Sequence, residues 1–469
     1  MSSLFGTLSI ATGALEAEQG AMNATTNNVA NANTPGYCRQ QPILTENDAI
    51  QVGSLSYGTG VSLEKLQSVR DPILQMRIQE ETQQQGQLSA FLTAMQQTQT
   101  QFTTSSSDIG TEIANFFSSL NQLSTNPTSL ALRQGVLTAA GDMALAFNNT
   151  ANNLQQQRSS LDRSVAQDVE QVNVLTSQIA TLNNQISQLQ GTHQDASALL
   201  DQRDVLIGQL SGLINVSSFP SDNSLTLTTS NGTPLVVGSQ SFALSTQTNS
   251  SGMQEIFSQG KDITPDLTSG DLGGLLQARD LTIPGLQSNL DALAAGLSNS
   301  LNAANTGGYD TNGNPYGGFD LNGNPGGNLF VAPPGSGQGA AAAMAVAITD
   351  PALIAASSDP TAPGSNGNMA TLLGVQNATV VHGQTPTNFY SNIVFGVGND
   401  VSNTSSELSA SQSILNQLQD QRAETSGVSL NEEAANLVQF QNAFDAAAQV
   451  VTTINDVLYT VINMGTLTG

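Results

Sequence analysis

Basic side chains are what this sequence has least of for its size. Its 469 residues carry 11 Lys and Arg against 36 Asp and Glu, a formal charge of −25. The only lysines are Lys65 and Lys261. A balance that negative argues against nucleic acid or an anionic membrane as partner. Charged residues of both signs reach only 10%, so Gln, Asn, Ser and Thr must solvate the surface. Such a surface suits permanent contacts better than rapid capture of a charged ligand. The single cysteine, Cys38, rules out an intramolecular disulfide framework and reads as a free thiol. Two histidines, His193 and His382, sit beside glycine or polar loop residues, and neither has a second ligand at metal-binding spacing. There is no G-x-S-x-G elbow, P-loop or G-x-G-x-x-G after a strand. Neighbouring acids such as Glu80-Glu81 and Glu432-Glu433 point in different directions on a helix. Asp201-Gln202-Arg203-Asp204 mixes both signs and reads as a structural salt-bridge cluster. No catalytic, cofactor-binding or metal-ligating set emerges, and the expectation is a protein that is not an enzyme. The first residues lack a basic stretch and are interrupted by Glu16 and Glu18, unlike an ordinary secretory signal. No apolar run approaches the length that crosses a bilayer.

What the sequence does have is heptads. Near the start, Leu4, Leu8, Ala11, Leu15, Met22 and Val29 follow alternating steps of four and three, with Glu18 and Thr25 as polar interruptions. Near the end, Leu437, Phe440, Phe444, Ala447, Val451, Ile454, Leu458 and Val461 do so without a break. Spacing of this kind keeps one seam turned toward a partner helix. Ser429 and Glu432 predict a capping box at the start of the last helix. Stripes at both extremes are unusual, because termini are where order is ordinarily lost. They predict an assembly interface formed by Leu4, Leu8, Leu15, Met22 and Val29 with Leu437, Phe440, Phe444, Val451, Ile454, Leu458 and Val461. Between them, Asp71-Pro72 reads as a cap followed by proline at the first helical position. The stripe after it runs through Leu74, Ile78, Leu88, Leu92, Met95 and Phe102. A further stripe runs from Leu161 through Val165, Val172, Leu175, Ile179, Leu182 and Ile186 to Leu189, broken only by Asp168. Ser197–Leu213 adds another helix.

From Ile214 the period changes to two. Leu225-Thr226-Leu227-Thr228, the hairpin signal Asn231-Gly232, and Pro234-Leu235-Val236-Val237 predict a small antiparallel β domain. Helical character resumes near Gly274. Residues 307–326 hold a near-repeat, GGYDTNGNPY then GGFDLNGNPG. Its Asp-x-Asn-Gly steps are like a calcium loop, but the twelfth position is Leu321 in one copy and Val331 in the other, where an EF-hand needs Glu. Two turn-rich loops carrying little core are expected, without calcium. The fold class is therefore mainly α with inserted β: terminal helices paired as a coiled coil, a long helical rod and a small antiparallel β domain. The expected division is 1–69, a helix and connecting segment pairing with the helix of 430–469; a discontinuous rod of 70–215 with 270–429, including a Gly/Asn/Pro-rich loop at 306–338; and an inserted β domain at 216–269.

One stretch carries a family resemblance. Asn27-Asn28-Val29-Ala30-Asn31-Ala32-Asn33-Thr34-Pro35-Gly36-Tyr37-Cys38-Arg39 resembles the NNxANxNTPGYxR signature of bacterial flagellar axial proteins. Its signature positions are Asn28, Ala30, Asn31, Asn33, Thr34, Pro35, Gly36, Tyr37 and Arg39. Asparagines compete with helical hydrogen bonds and Pro-Gly makes a turn, so the helix ends at a fixed place. Leu199-Leu200-Asp201-Gln202-Arg203-Asp204, Leu182-Asn183-Asn184-Gln185-Ile186 and Ser426-Gly427-Val428-Ser429-Leu430-Asn431-Glu432-Glu433 narrow the resemblance to the hook-associated protein 1 family. Asn431 departs from that family's usual acid, and Phe444 from a common tyrosine. The resemblance implies a structural subunit at the junction of hook and filament, extracellular and exported by the flagellar type III apparatus without a cleaved signal. It implies a helical layer of the chain itself between hook protein and hook-associated protein 3, an inner tube built from the terminal helices, and a dedicated export chaperone on the C-terminal helix. Another axial subunit, such as hook-associated protein 3 or hook protein, is the alternative. A surface adhesin, or an enzyme grafted on a flagellar frame, is further off.

Overall fold

The computed structural model describes residues 2–52, 55–103, 108–192, 194–221 and 224–466; His193 lies outside them. The chain opens with helix α1 (Ser2–Asn31) and continues through strands β1 (Gln40–Glu46), β2 (Ile50–Val52), β3 (Leu55–Tyr57) and β4 (Val61–Ser68). The strands form nested hairpins, β1 on β4 and β2 on β3, both antiparallel. Helices α2 (Pro72–Thr103), α3 (Ile109–Thr125), α4 (Leu130–Gly191) and α5 (Ser197–Leu213) follow.

Caps fix where these helices begin. Asp71 Oδ1 accepts from the backbone N–H groups of Ile73 and Leu74, both at 3.0 Å. Asp108 and Ser129 do the same for α3 and α4, satisfying donors a first turn leaves unpaired. At 62 residues, α4 is about 93 Å long at 1.5 Å per residue. Its buried stripe includes Leu154, Leu161, Val165, Val172, Leu175, Ile179 and Ile186. In α2, Leu74, Ile78, Leu88, Leu92, Met95 and Phe102 are all buried. Leu74 and Ile78 form a small satellite core with Leu415 and Leu418.

Among the described residues seven strands come next: β5 (Val216–Ser221), β6 (Ser224–Thr229), β7 (Pro234–Val237), β8 (Gln240–Ser241), β9 (Leu244–Thr248), β10 (Gln254–Ser258) and β11 (Lys261–Asp262). They make a four-stranded meander, β5-β6-β7-β8, and a three-stranded one, β11-β10-β9. Both lean on α4. Asn173 donates to Leu244 O at 2.8 Å and accepts from Leu244 N at 2.7 Å. Asn183 donates to Leu225 O and Gly238 O, at 2.9 and 2.8 Å. The chain then re-enters helix through α6 (Gly270–Leu276), a π-helical stretch at Gln277–Thr282 and α7 (Ile283–Asn305). The π stretch carries Arg279, fully buried and paired with Asp162 at 2.7 Å and Asp280 at 2.8 Å.

A short hairpin of β12 (Gly307–Tyr309) and β13 (Pro315–Gly317) leads through irregular chain to α8 (Met369–Gly374), α9 (Pro386–Ser426) and α10 (Leu430–Thr466). The expectation that 307–326 carries little core is corrected here. Phe319 has no solvent exposure and its ring meets that of Tyr309 edge-on. Leu329 and Phe330, still within the loop expected at 306–338, join the main core. Glycine made the segment look like free loop. In the structure it lets backbone pack closely: a Cβ at Gly318 or Gly326 would run into Ala355 and Asn305. Asp310 and Asp320 each fold their carboxylate onto two backbone N–H groups of their own turn.

Candidate assembly joint

The four motifs singled out in the sequence meet at one place, where α1 ends, α5 passes, and α9 gives way to α10. Asn28 is its hub. Its side chain is 1% exposed, so its amide must find partners in the protein. Nδ2 donates to Gln40 O at 2.8 Å and to Glu433 Oε2 at 3.1 Å. Oδ1 accepts from Gln40 N and from the Tyr37 hydroxyl, both at 2.8 Å. All four bonds that an amide side chain can make are thus used. One residue joins the end of α1, the start of β1 and the first turn of α10. Burial, with the charges of Asp201 and Glu433 nearby, pushes the Tyr37 hydroxyl up to about 12, so it remains a donor.

The turn between α1 and β1 is held residue by residue. Asn31 donates to Asn27 O at 3.0 Å, and Thr34 N donates to Asn31 O at 2.9 Å. Gly36 has φ +84°, a region L side chains rarely occupy. A Cβ there would also collide with Val205 of α5. Gly36 O accepts from Arg422 of α9 at 3.0 Å. Cys38 N donates to Asp201 Oδ2 at 3.2 Å, and Arg39 N to Ser426 O at 2.8 Å. The Arg39 guanidinium reaches Glu432 at 2.8 Å. This contact corrects the expected capping box. Ser429 Oγ does accept from Glu432 N, at 3.4 Å, but the Glu432 carboxylate is drawn away to the arginine. Cys38 is buried, and burial pushes its thiol up, so it stays a protonated thiol. Ala30, Asn33 and Pro35 remain exposed.

Beneath the turn lies a charge cluster. Arg70, just before α2, forks across Asp201 and Asp204 of α5 and donates to Ser197 O at 3.3 Å. Burial pushes both carboxyls up and the guanidinium opposes it. Arg203 bonds Asn183 Oδ1 at 2.9 Å. The Leu-Asn-Asn-Gln-Ile and Leu-Leu-Asp-Gln-Arg-Asp motifs are therefore one device, binding the β meander, α4, α5 and the turn together. The motifs, Glu433 among them, are visible in the sequence, but Arg70 and the bond from Glu433 to Asn28 are not. A lone Arg before a cap and the partner of one acid in an adjacent pair carry no local signal.

The terminal helices run back along each other from this joint and pair about as extensively as α2 and α9 do. On α10, Ile454 is buried; Phe440, Phe444, Val451 and Leu458 are half-buried; Leu437 and Val461 are exposed. On α1, Leu4, Leu8, Leu15 and Met22 are half-buried and Val29 is exposed. The face α1 buries completely is made of Ala11, Ala17, Ala21, Ala24, Thr25 and Asn28. Small side chains there let other elements approach closely; Ala11 and Thr25 lie on the heptad and Asn28 in the signature, whereas Ala17, Ala21 and Ala24 fall outside both.

Two end helices closed on each other and tied by an asparagine-rich turn to a helical rod define a subunit of the flagellar axial class. Residues 8–37 match the family described as flagella basal body rod protein, and residues 419–464 the flagellar basal body rod FlgEFG protein C-terminal family. Residues 95–330, half of the chain, match the flagellar hook-associated protein FlgK helical domain. The chain belongs to the hook-associated protein FlgK family. It is 27% identical to flagellar hook-associated protein 1 of Escherichia coli over 96% of this chain and 98% of that one. Identity to the Bacillus subtilis protein of the same name is 27%, over 99% of both chains. The flagellar hook junction protein FlgK from Burkholderia pseudomallei has the same fold, with a TM-score of 0.66 at 19% identity, over 75% of this chain and 100% of that one.

Proposed function

We propose that this chain is the structural subunit that joins hook to filament in the bacterial flagellum, polymerising as a helical layer through its paired terminal helices. The observation that carries this reading is the division of the family matches. The ends match families shared with rod proteins, whereas 95–330 matches the hook-associated helical domain. A rod or hook subunit would be expected to match only at its ends. On this reading the layer contacts hook protein on one side and hook-associated protein 3 on the other. The chain reaches its place unfolded, through the flagellar type III apparatus, and a dedicated chaperone covers α10 before assembly. Val438, Tyr459 and Ile462 of α10, all exposed apolar side chains, support the need for such cover. Its role is mechanical rather than catalytic. Deleting the gene should leave hooks that carry no filament, scored by electron microscopy. A deletion strain with full-length filaments refutes the proposal.

A further inference from the structure

The β2–β3 hairpin is amphipathic and its apolar face is bare. Ile50 pairs with Tyr57, and the register places Leu55 on the same face, while Gln51 and Ser56 share the other. Ile50 is 59%, Leu55 60% and Tyr57 53% exposed. A lone two-stranded hairpin is marginal in water and needs its apolar face packed against something. Its base carries the exposed acids Glu46 and Asp48.

A second bare surface has the opposite charge. On the first turns of α2, Ile73 is 69% and Met76 49% exposed, and Arg77 beside them is exposed with no ion-pair partner among the described residues. Strand β5 runs alongside, held by Ser218 Oγ donating to Gln79 Oε1 at 3.2 Å and Gln83 donating to Val216 O at 2.9 Å. It leaves Phe219 54% exposed. Beside them a cavity of about 360 Å³ is lined by Ile73, Met76 and Pro220 together with Arg70, Arg203 and Arg422 of the joint, and is large enough for an aromatic side chain.

We propose that the hairpin of one copy of this chain docks in the α2–β5 groove of a second copy, with Tyr57 and Leu55 on Ile73 and Met76, and Asp48 or Glu46 facing Arg77. In a chain with a charge of −25 and 11 basic residues, a surface arginine without an ion-pair partner among the described residues, beside the exposed side chains of Ile73, Met76 and Phe219, selects an acidic, apolar partner. The hairpin has that chemistry. Because the two patches differ, the contact is heterologous and propagates from copy to copy, as a helical layer requires. The inference rests on the polymer reading above.

The test is crosslinking between copies in flagella assembled in cells, in a Cys38→Ala background. Cells co-expressing chains with Tyr57→Cys and with Met76→Cys should give an oxidised dimer, absent when either chain is expressed alone. Adding Arg77→Glu should lower its yield about ten-fold, and Asp48→Lys with Glu46→Lys should restore it, as like charges face each other only in the single reversal. Filaments present but no dimer overturns the docking and leaves the junction reading intact. A crosslink to a protein of another mass, or a charge reversal without effect, also overturns the docking. Absence of the chain from assembled flagella overturns both readings. If the cysteine variants fail to assemble, the charge reversals in the unmodified chain decide, read as hooks with filament; failure of the lysine pair to restore them overturns the docking.

Discussion

Asp168 offers the sharpest test of how the rod is packed. It breaks an otherwise apolar stripe of α4, its Oδ2 is buried without a hydrogen-bond partner among the described residues, and Asp271 at the start of α6 adds a second negative charge nearby. Burial first, and Asp271 second, push its carboxyl from 3.8 up to about 6. An acid whose folded pKa lies above its unfolded value helps the fold while protonated. That contribution is complete below the unfolded value and is lost as pH rises through the folded one. At neutral pH the wild-type chain therefore carries a disfavoured charge. A shift of this size corresponds to about 3 kcal/mol at most, and partial access to water reduces it to roughly 1–2 kcal/mol. Asp168→Asn keeps the shape and removes the charge. In thermal unfolding the variant should match wild type near pH 4 and gain about 1–3 °C by pH 7.5, with the difference opening across pH 4–6. Comparing variant with wild type at each pH cancels the other carboxylates. A gain that does not vary with pH, or a loss at every pH, would show that the charge is not the source of the strain.

Gly36→Ala should destabilise the joint by about 1–3 kcal/mol, from its left-handed backbone and the clash with Val205; chemical unfolding measures it, and an unchanged midpoint counts against the turn geometry. Asn28→Ala strands Tyr37, Gln40 and Glu433 and should cost about 2–4 kcal/mol, with earlier proteolysis at residues 32–40 as readout. Phe319→Ala should lower stability by about 3–5 kcal/mol, whereas added calcium should leave the melting temperature unchanged; a calcium-dependent rise of several degrees would make the Asp310 and Asp320 turns metal sites. Phe444→Asp, in the seam of α10, should abolish polymerisation while leaving the rod folded, and Asn442→Asp, off the seam, should be mild; sedimentation with circular dichroism separates the two effects.

The helices were legible because periodic apolar residues are a local signal. The stripes of α2 and α4 buried nearly the residues their spacing named, although Val169 and Asn183 took buried places that a strict heptad would give to Asp168 and Leu182. Over a helix as long as α4, a 3.6-residue turn drifts from a 3.5-residue pattern. The β meander was legible from alternation and Asn231-Gly232. What could not be read was tertiary choice. Glu432 selects Arg39 over its own cap because the chain, 393 positions further on, returns to the same point. Phe319 is core because backbone packs against its glycine neighbours, a fact no window of sequence contains. The joint was half legible: the motifs were visible, but that they form one network depends on Arg70 and Glu433, whose partners lie far along the chain.

The bond from Asn28 to Glu433 spans 405 residues of sequence, and this sets an order of events. The first helix emerges from the ribosome with nothing to close on until the last has been made. Long-range closure of this kind is slow, because the loop must be gathered before any contact rewards it. The ends therefore act as a completeness check. A chain cut just before α10 keeps α9 against α2, with Leu415 and Leu418 on Leu74 and Ile78, yet leaves α1 without its partner helix.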